Sequence, residues 1–275
     1  ALKLIVTMKS LTLVEFGAPS DKNELREFLR NLNGRDPDNS EIERALGKYM
    51  LSGGSPIRVK IQDLKVKLAG ALDFPVDYAF LYNKPYLSDV IESKISSGFD
   101  NIVILPLFTF YSKRTAEDIE QCTKGAGNAK VEVLQLYKIG CLAKVWSNRL
   151  KSDIKGLENL IVIFIAHSIP AGKSEQYEMS FRKFAEQISA SAGCKNFLIG
   201  YQNSRNGWLG PSIYDLKLGT VRNVVAVPLS FLLTNMEILY DLDVEYSRYL
   251  KQTGHTYIRS GPPEDELPAC LASVV

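Results

Sequence analysis

The sequence predicts an α/β fold: two similar doubly wound parallel-sheet halves, residues 1–145 and 146–275, with a cleft between them. Three observations carry this prediction. Short β-branched apolar runs alternate with stretches of helical length and pattern, the arrangement of parallel strands joined by crossover helices. The runs fall into two successive sets of four. One set also echoes the other, since Val103-Ile104-Leu105-Pro106-Leu107-Phe108 resembles Val225-Ala226-Val227-Pro228-Leu229-Ser230.

The first set predicts strands at 11–16, 78–82, 101–107 and 131–136, each bounded by turn residues. Between its first two strands lies a helical insertion covering 21–32 and 40–51 and closing in Gly53-Gly54-Ser55-Pro56, too long for a plain connection. The boundary between halves falls within 140–160. The second set predicts strands at 160–167, 197–202, 223–231 and 255–259, followed beyond Pro262 and Pro263 by a short closing helix. Open α/β sheets bind ligands beyond the carboxyl ends of their strands, so the informative residues are those just after each strand.

Composition narrows the function. Of 275 residues 45% are hydrophobic and 23% charged, as in an ordinary globular domain. Thirty-three Lys and Arg against 31 Asp and Glu leave a net charge of +2, which offers no field for gripping nucleic acid. The longest apolar stretches, 160–166 and 224–233, fall short of the ~20 residues that span a bilayer, so no transmembrane segment is expected. Lys3 and Lys9 interrupt the first run, which therefore does not read as a signal peptide, and a cytoplasmic location is expected. Cys122, Cys141, Cys194 and Cys270 are scattered without a CxxC pair and read as reduced, packed thiols. With only His167 and His255 present, a three-histidine metal site is excluded. No GxGxxG, Walker loop or GxSxG elbow supports nucleotide binding or a common hydrolase mechanism.

Four stretches could carry chemistry. His167 ends the most apolar strand and precedes Ser168-Ile169-Pro170, a position that suits either a general base or a satisfied core histidine. Glu237, Asp241 and Glu245 recur every four residues; on an α-helix they share one face, drifting by roughly 40° per step. That stripe reads either as a solvated helix face or as a path for a cation or proton. The loop Tyr201-Gln202-Asn203-Ser204-Arg205-Asn206-Gly207-Trp208 and the segment Phe108-Thr109-Phe110-Tyr111-Ser112-Lys113-Arg114 join strand ends to aromatic, hydroxyl and basic groups. Such walls suit a flat aromatic ligand with carboxylates, or a well-packed loop.

Taken in order, these stretches resemble the ferrochelatase family along nearly the whole chain. The resemblance rests on Val14-Glu15-Phe16-Gly17-Ala18-Pro19, Gly53-Gly54-Ser55-Pro56, Ile104-Leu105-Pro106-Leu107 with Tyr111-Ser112 and Thr115, Ala166-His167-Ser168-Ile169-Pro170, Tyr201 to Arg205 with Trp208-Leu209 and Pro211, and Val227-Pro228-Leu229-Ser230-Phe231 leading to Glu237-Ile238-Leu239-Tyr240-Asp241. It implies a chelatase-like fold and a lyase of haem biosynthesis that inserts Fe(II) into protoporphyrin IX or coproporphyrin III. His167 and Glu237 match the family's active-site histidine and glutamate, implied both for catalysis and for contact with the metal. Asp241 and Glu245 fall on its acidic ladder for protons or metal. Porphyrin contacts are implied at Phe16, Ser55, Pro56, Tyr111, Ser112, Arg205 and Trp208. Porphyrin and ferrous iron are then substrates, with no tightly bound cofactor; with no carboxy-terminal cysteine cluster, no iron-sulfur centre is expected.

The departures from the family pattern are specific. Thr234-Asn235 stands where many members have Asp-His, Phe16 where coproporphyrin-type members have tyrosine, and Leu81 and Lys84 where arginine and histidine are frequent. The insertion before Gly53 is short beside the hydrophobic lip of membrane-associated members. A related tetrapyrrole chelatase for cobalt or nickel and a non-catalytic porphyrin or haem carrier are the alternatives. Oligomeric state is not legible.

Overall fold

The computed structural model describes residues 8–275 except 173 and 195; the amino-terminal run read above as lacking a signal peptide lies mostly outside the described residues. The first sheet is built from β1 (Lys9–Glu15), β2 (Val76–Phe80), β3 (Asn101–Pro106) and β4 (Lys130–Val133) in the order β2-β1-β3-β4. The second contains β5 (Leu160–His167), β6 (Phe197–Gln202), β7 (Asn223–Pro228) and β8 (Thr256–Arg259) in the order β6-β5-β7-β8. All neighbouring strands are parallel, and the two orders are the same permutation. The sequence echo is therefore structural: Pro106 pairs with Val14 as Pro228 pairs with Ile165, so β3 and β7 hold corresponding places.

Period-two alternation assigns each strand face. Leu11, Leu13, Val103 and Leu105 of the first sheet join Val162, Phe164, Val225 and Val227 of the second in one continuous core. The intervening residues face outward, Val14, Ile102 and Ile104 into one satellite cluster, and Ile163, Ile165, Val224 and Ala226 into another with Leu242, Tyr246 and Leu250. Beyond the third strands the halves touch directly. Phe108 and Phe231 form an antiparallel bridge, Thr109 N–H donates to the Ser230 carbonyl (3.2 Å), and Leu232 N–H to that of Leu107 (3.4 Å). The strand ends of both sheets thus open onto one region.

The insertion forms α1 (Lys22–Asn33) and α2 (Asn39–Ser52), followed by α3 (Ile57–Ala69). Asp21 caps α1 through the N–H groups of Asn23 and Glu24, and Asp38 with Glu41 makes a reciprocal capping box at α2. After α4 (Leu87–Ser96) and α5 (Lys113–Thr123), α6 (Gly140–Asp153) carries the chain between the sheets and buries Trp146. Gly261, at φ 83°, lies under that ring, where a Cβ would stand 2.4 Å from Trp146 Cζ3; this is a close approach that only glycine allows. Next come α7 (Glu175–Ala192), the helix after β7 ending in α8 (Ser247–Gln252), and α9 (Leu267–Ala272), the predicted closing helix.

Two expectations are corrected. Cys141 and Cys270 are not free thiols: α9 returns to α6 and brings their Cα atoms to 5.6 Å, joined by a disulfide. Only Cys122 and Cys194 remain reduced. The acidic stripe does not lie on an α-helix, because Ile238–Tyr246 is a nine-residue π-helix. Its i→i+5 bonding gives a wider turn, a geometry rare in proteins and frequent at functional sites.

Candidate active site

His167 is the last residue of β5, paired in register with Gln202 of β6, and its backbone is pinned on both sides. Ser230 Oγ accepts its N–H (3.0 Å), and Tyr177 Oη donates to its carbonyl (2.8 Å). Nδ1 stands 2.7 Å from the Ser168 carbonyl, an acceptor, so the proton resides on Nδ1. Nε2 lies 3.2 Å from Oε1 of Glu237, which enters from the turn of helix just before the π-segment. Both side chains stay partly open, 29% and 33% exposed, at the floor of the region between the strand ends.

This pairing fixes charge. Burial opposes an imidazolium, but the Glu237 carboxylate and the Ser168 carbonyl outweigh it and raise the His167 pKa to about 9. Burial likewise works against the Glu237 carboxylate, and the charge of His167 together with its hydrogen bond holds it below the ordinary carboxylate range. At neutral pH the two are an ion pair. For His167 to serve as the general base that its position suggests, this proton must leave before the imidazole can take another.

The ladder continues from this pair. Asp241, only 4% exposed, accepts from Asn203 Nδ2 (2.8 Å) and from Lys48 Nζ of α2 (2.7 Å). Burial, with the nearby Glu237 charge, raises the Asp241 pKa, while Lys48 and Asn203 pull it back. Asn203 Nδ2 also stands 3.3 Å from His167 Nε2, a donor placed to bond that nitrogen once its proton has left. Glu245 accepts from Tyr240 Oη (2.9 Å), and a cavity of about 210 Å³ is lined by Asn203, Ser204, Tyr214, Asp241 and Glu245. The solvated-face alternative thus fits Glu245 but not Asp241.

The remaining residues divide by place. Phe16 stacks on Phe108 (4.5 Å between centroids), against which Tyr111 packs edge-on (5.7 Å), forming an aromatic wall of the first half. Ser112 caps α5 by accepting the Thr115 N–H. In the second half the Arg205 guanidinium lies 3.8 Å above the Trp208 ring, and a bridge between Pro170 and Trp208 ties this loop to the one after β5. Ser55 and Pro56 precede α3, and among the described residues no hydrogen bond links them to the His167–Glu237 pair. Asn235 has a local role: its Oδ1 accepts the Ile238 N–H (3.0 Å), an N-cap contact that aspartate would also make.

Sequence reasoning did not single out Lys48, and it quoted Asn203 and Glu15 within motifs without giving either a role. Lys48 lies 193 residues from Asp241, beyond any local pattern. Glu15 had a visible signal, since it continues the inward row Leu11, Leu13 of β1. It is 5% exposed; burial, partly offset by the Phe16 N–H and reinforced by the charge of Glu237, pushes its pKa up to about 8.

Two parallel four-strand units sharing one core, with an imidazole–carboxylate pair where their strand ends meet, define a two-lobed α/β protein of chelatase architecture. SirB from Bacillus subtilis with Fe³⁺ has a similar fold (TM-score 0.61, 12% identity, 96% of this chain and 94% of that one). A family model described as Ferrochelatase matches residues 8–275. A ferrochelatase of Thermoplasma acidophilum is 33% identical over 94% of this chain and 87% of its own length. Coproporphyrin III ferrochelatase 2 of Bacillus cereus is 24% identical over 96% and 92%. The chain belongs to the ferrochelatase family.

Proposed function

We propose that the protein inserts ferrous iron into a porphyrin, protoporphyrin IX or coproporphyrin III, in the region between its two halves. The observation that carries this reading is the His167–Glu237 contact at 3.2 Å where the strand ends converge. Insertion of a divalent ion requires a porphyrin to lose two pyrrole protons, so the site needs acceptors and an exit. Iron approaching the Glu237 carboxylate weakens its hold on the imidazolium. The His167 proton then leaves to solvent, and the freed Nε2, beside the Asn203 Nδ2 donor at 3.3 Å, accepts a proton from the ring. Phe16 and Tyr111 on one side and Trp208 with Arg205 on the other hold the macrocycle, whose four nitrogens take over the iron that Glu237 delivers.

A cytoplasmic location belongs to the same proposal. Cell fractionation with thiol trapping tests it: recovery in the cytosolic fraction is expected, and recovery in an extracytoplasmic fraction, where a disulfide such as Cys141–Cys270 persists, would refute it. The function is tested by anaerobic assay of Fe²⁺, Co²⁺, Ni²⁺ and Zn²⁺ against both porphyrins. Iron insertion is the expected result; tight porphyrin binding with no insertion of any metal identifies a carrier instead.

A further inference from the structure

We infer that Glu15 is a second proton acceptor for the ring, supplied by the first half. The inference rests on the chelatase reading above and names a group that the His167 mechanism leaves unused. Its geometry begins with β1, where Leu11 and Leu13 point into the core shared by the two sheets. Glu15 is the next residue in that row and the last of the strand, so its carboxyl ends the apolar layer at the level where the strands open. In register it holds the place that Ala166 holds in the second half: Val14 pairs with Pro106 as Ile165 pairs with Pro228. Where the second sheet ends its inward row on a methyl group, the first ends on a carboxyl.

That carboxyl is poorly provided for. It is 5% exposed, and its one hydrogen bond among the described residues comes from the adjacent Phe16 N–H to Oε2 at 3.2 Å. No described cation pairs with it. A buried carboxyl without a cationic partner is a destabilising choice for a core position, and local rules are broken in this way chiefly at functional sites. The charged group whose field reaches it is Glu237, the carboxylate already paired with His167. Glu15 and the His167–Glu237 pair therefore act on one space, approached from different halves.

The proton balance is complete. At rest Glu15 is the neutral acid. A divalent cation drawn to Glu237 raises the electrostatic potential at Glu15 and favours its ionised form, so the O–H bond breaks and releases its proton to solvent. The carboxylate then takes one pyrrole proton while His167 takes the other. Taking these protons restores the neutral acid at Glu15 and the imidazolium at His167, so the two protons released beforehand are the two that leave per metal inserted, and no electron is transferred.

The test compares wild type, Glu15→Gln and Glu15→Asp in the anaerobic assay with Zn²⁺ and Fe²⁺, alongside porphyrin affinity by fluorescence and thermal unfolding. For Glu15→Gln the expected result is a fall in kcat of at least about 10²-fold, with porphyrin affinity and KM within about threefold of wild type and folding retained. Glu15→Asp, which keeps a carboxyl one methylene shorter, should recover part of the rate. Near-normal kcat in a folded Glu15→Gln protein beside an active wild type overturns this inference alone. A parallel loss of porphyrin affinity and rate also overturns it, by assigning Glu15 to seating the ring. Wild-type protein that inserts no metal overturns the chelatase reading and this inference with it.

Discussion

Glu15→Gln should stabilise the protein at neutral and alkaline pH even as it slows turnover. The Glu15 carboxyl is raised from an ordinary 4.5 to about 8 in the folded chain, so the folded state holds its proton where the unfolded state has lost it. An acid raised in this way leaves stability intact below its unfolded pKa and removes it as pH climbs toward the folded value. Each pH unit between the two removes about 1.4 kcal/mol, hence about 3 kcal/mol by pH 7 and, with the folded group half ionised, about 4 kcal/mol by pH 8. Glutamine has nearly the same volume and titrates nowhere in this range. Its carbonyl can still accept the Phe16 N–H, while its amide N–H₂ finds no evident partner, at a cost of about 1 kcal/mol. The net gain is about 2 kcal/mol at pH 7 and about 3 kcal/mol at pH 8. For a chain of this size that is a rise in Tm of roughly 4 °C and 6 °C. Thermal unfolding by circular dichroism from pH 5 to 8 should show the two proteins nearly equal at pH 5 and diverging as pH rises. Parallel Tm curves across that range would refute the reasoning, since they would mean that Glu15 ionises normally in the folded state.

Other perturbations test the remaining groups. His167→Ala should keep porphyrin affinity while insertion falls by at least about 10²-fold; near-normal insertion by a stable variant would remove the proposed acceptor and leave Glu237 as the principal candidate. Glu237→Gln should bring the His167 pKa down from about 9, because burial is then opposed only by the Ser168 carbonyl and the weaker field of Asp241; imidazole NMR titration of the ligand-free protein measures it, and an unmoved pKa would place the cause elsewhere. Asp241→Asn and Glu245→Gln should both slow turnover, Asp241→Asn the more, because it also strips Lys48 of its partner at 2.7 Å; unchanged rates in both would return the stripe to a solvated face.

How much of this was legible follows from what sequence patterns encode. Strands 160–167 and 197–202 read correctly because apolar runs bounded by turn residues are local signals. The strand expected through Phe231 stops at Pro228; the Leu229 N–H still reaches the Ile165 carbonyl (2.9 Å), and the residues after it cross to the other half instead. Edge strand β4 is short for a different reason: it has one neighbour, and Leu136 reaches the core from an irregular turn. The π-segment was invisible, since no glycine or proline marks Ile238–Tyr246 and the four-residue spacing of its carboxylates also fits an α-helix. His167 and Glu237 were named from motif resemblance, but their shared proton depends on a distance across 70 residues of chain that no spacing rule supplies. Lys48–Asp241 and Cys141–Cys270 are long-range for the same reason.

The charges around the site also order the proposed reaction. At neutral pH His167 is paired with Glu237 and Lys48 with Asp241, while Glu15, with its pKa near 8, is neutral. The formal charge of this set is zero, so the uncharged centre of a free porphyrin enters without meeting a net field. Neither acceptor is then ready, because His167 already holds two ring protons and Glu15 holds its own. A divalent ion at Glu237 adds two positive charges to a poorly solvated space, where the interaction is far stronger than in water. Losing two protons restores the balance, and that is the number the macrocycle must give up. Metal arrival therefore precedes deprotonation of the ring. It follows that porphyrin bound without metal at pH 7 should keep the four-banded visible spectrum of the free base, and that Zn²⁺ addition should release two protons per ring converted, read by a pH indicator in weak buffer. A deprotonated ring in the metal-free complex would reverse this order and assign the first proton transfer to the resting protein.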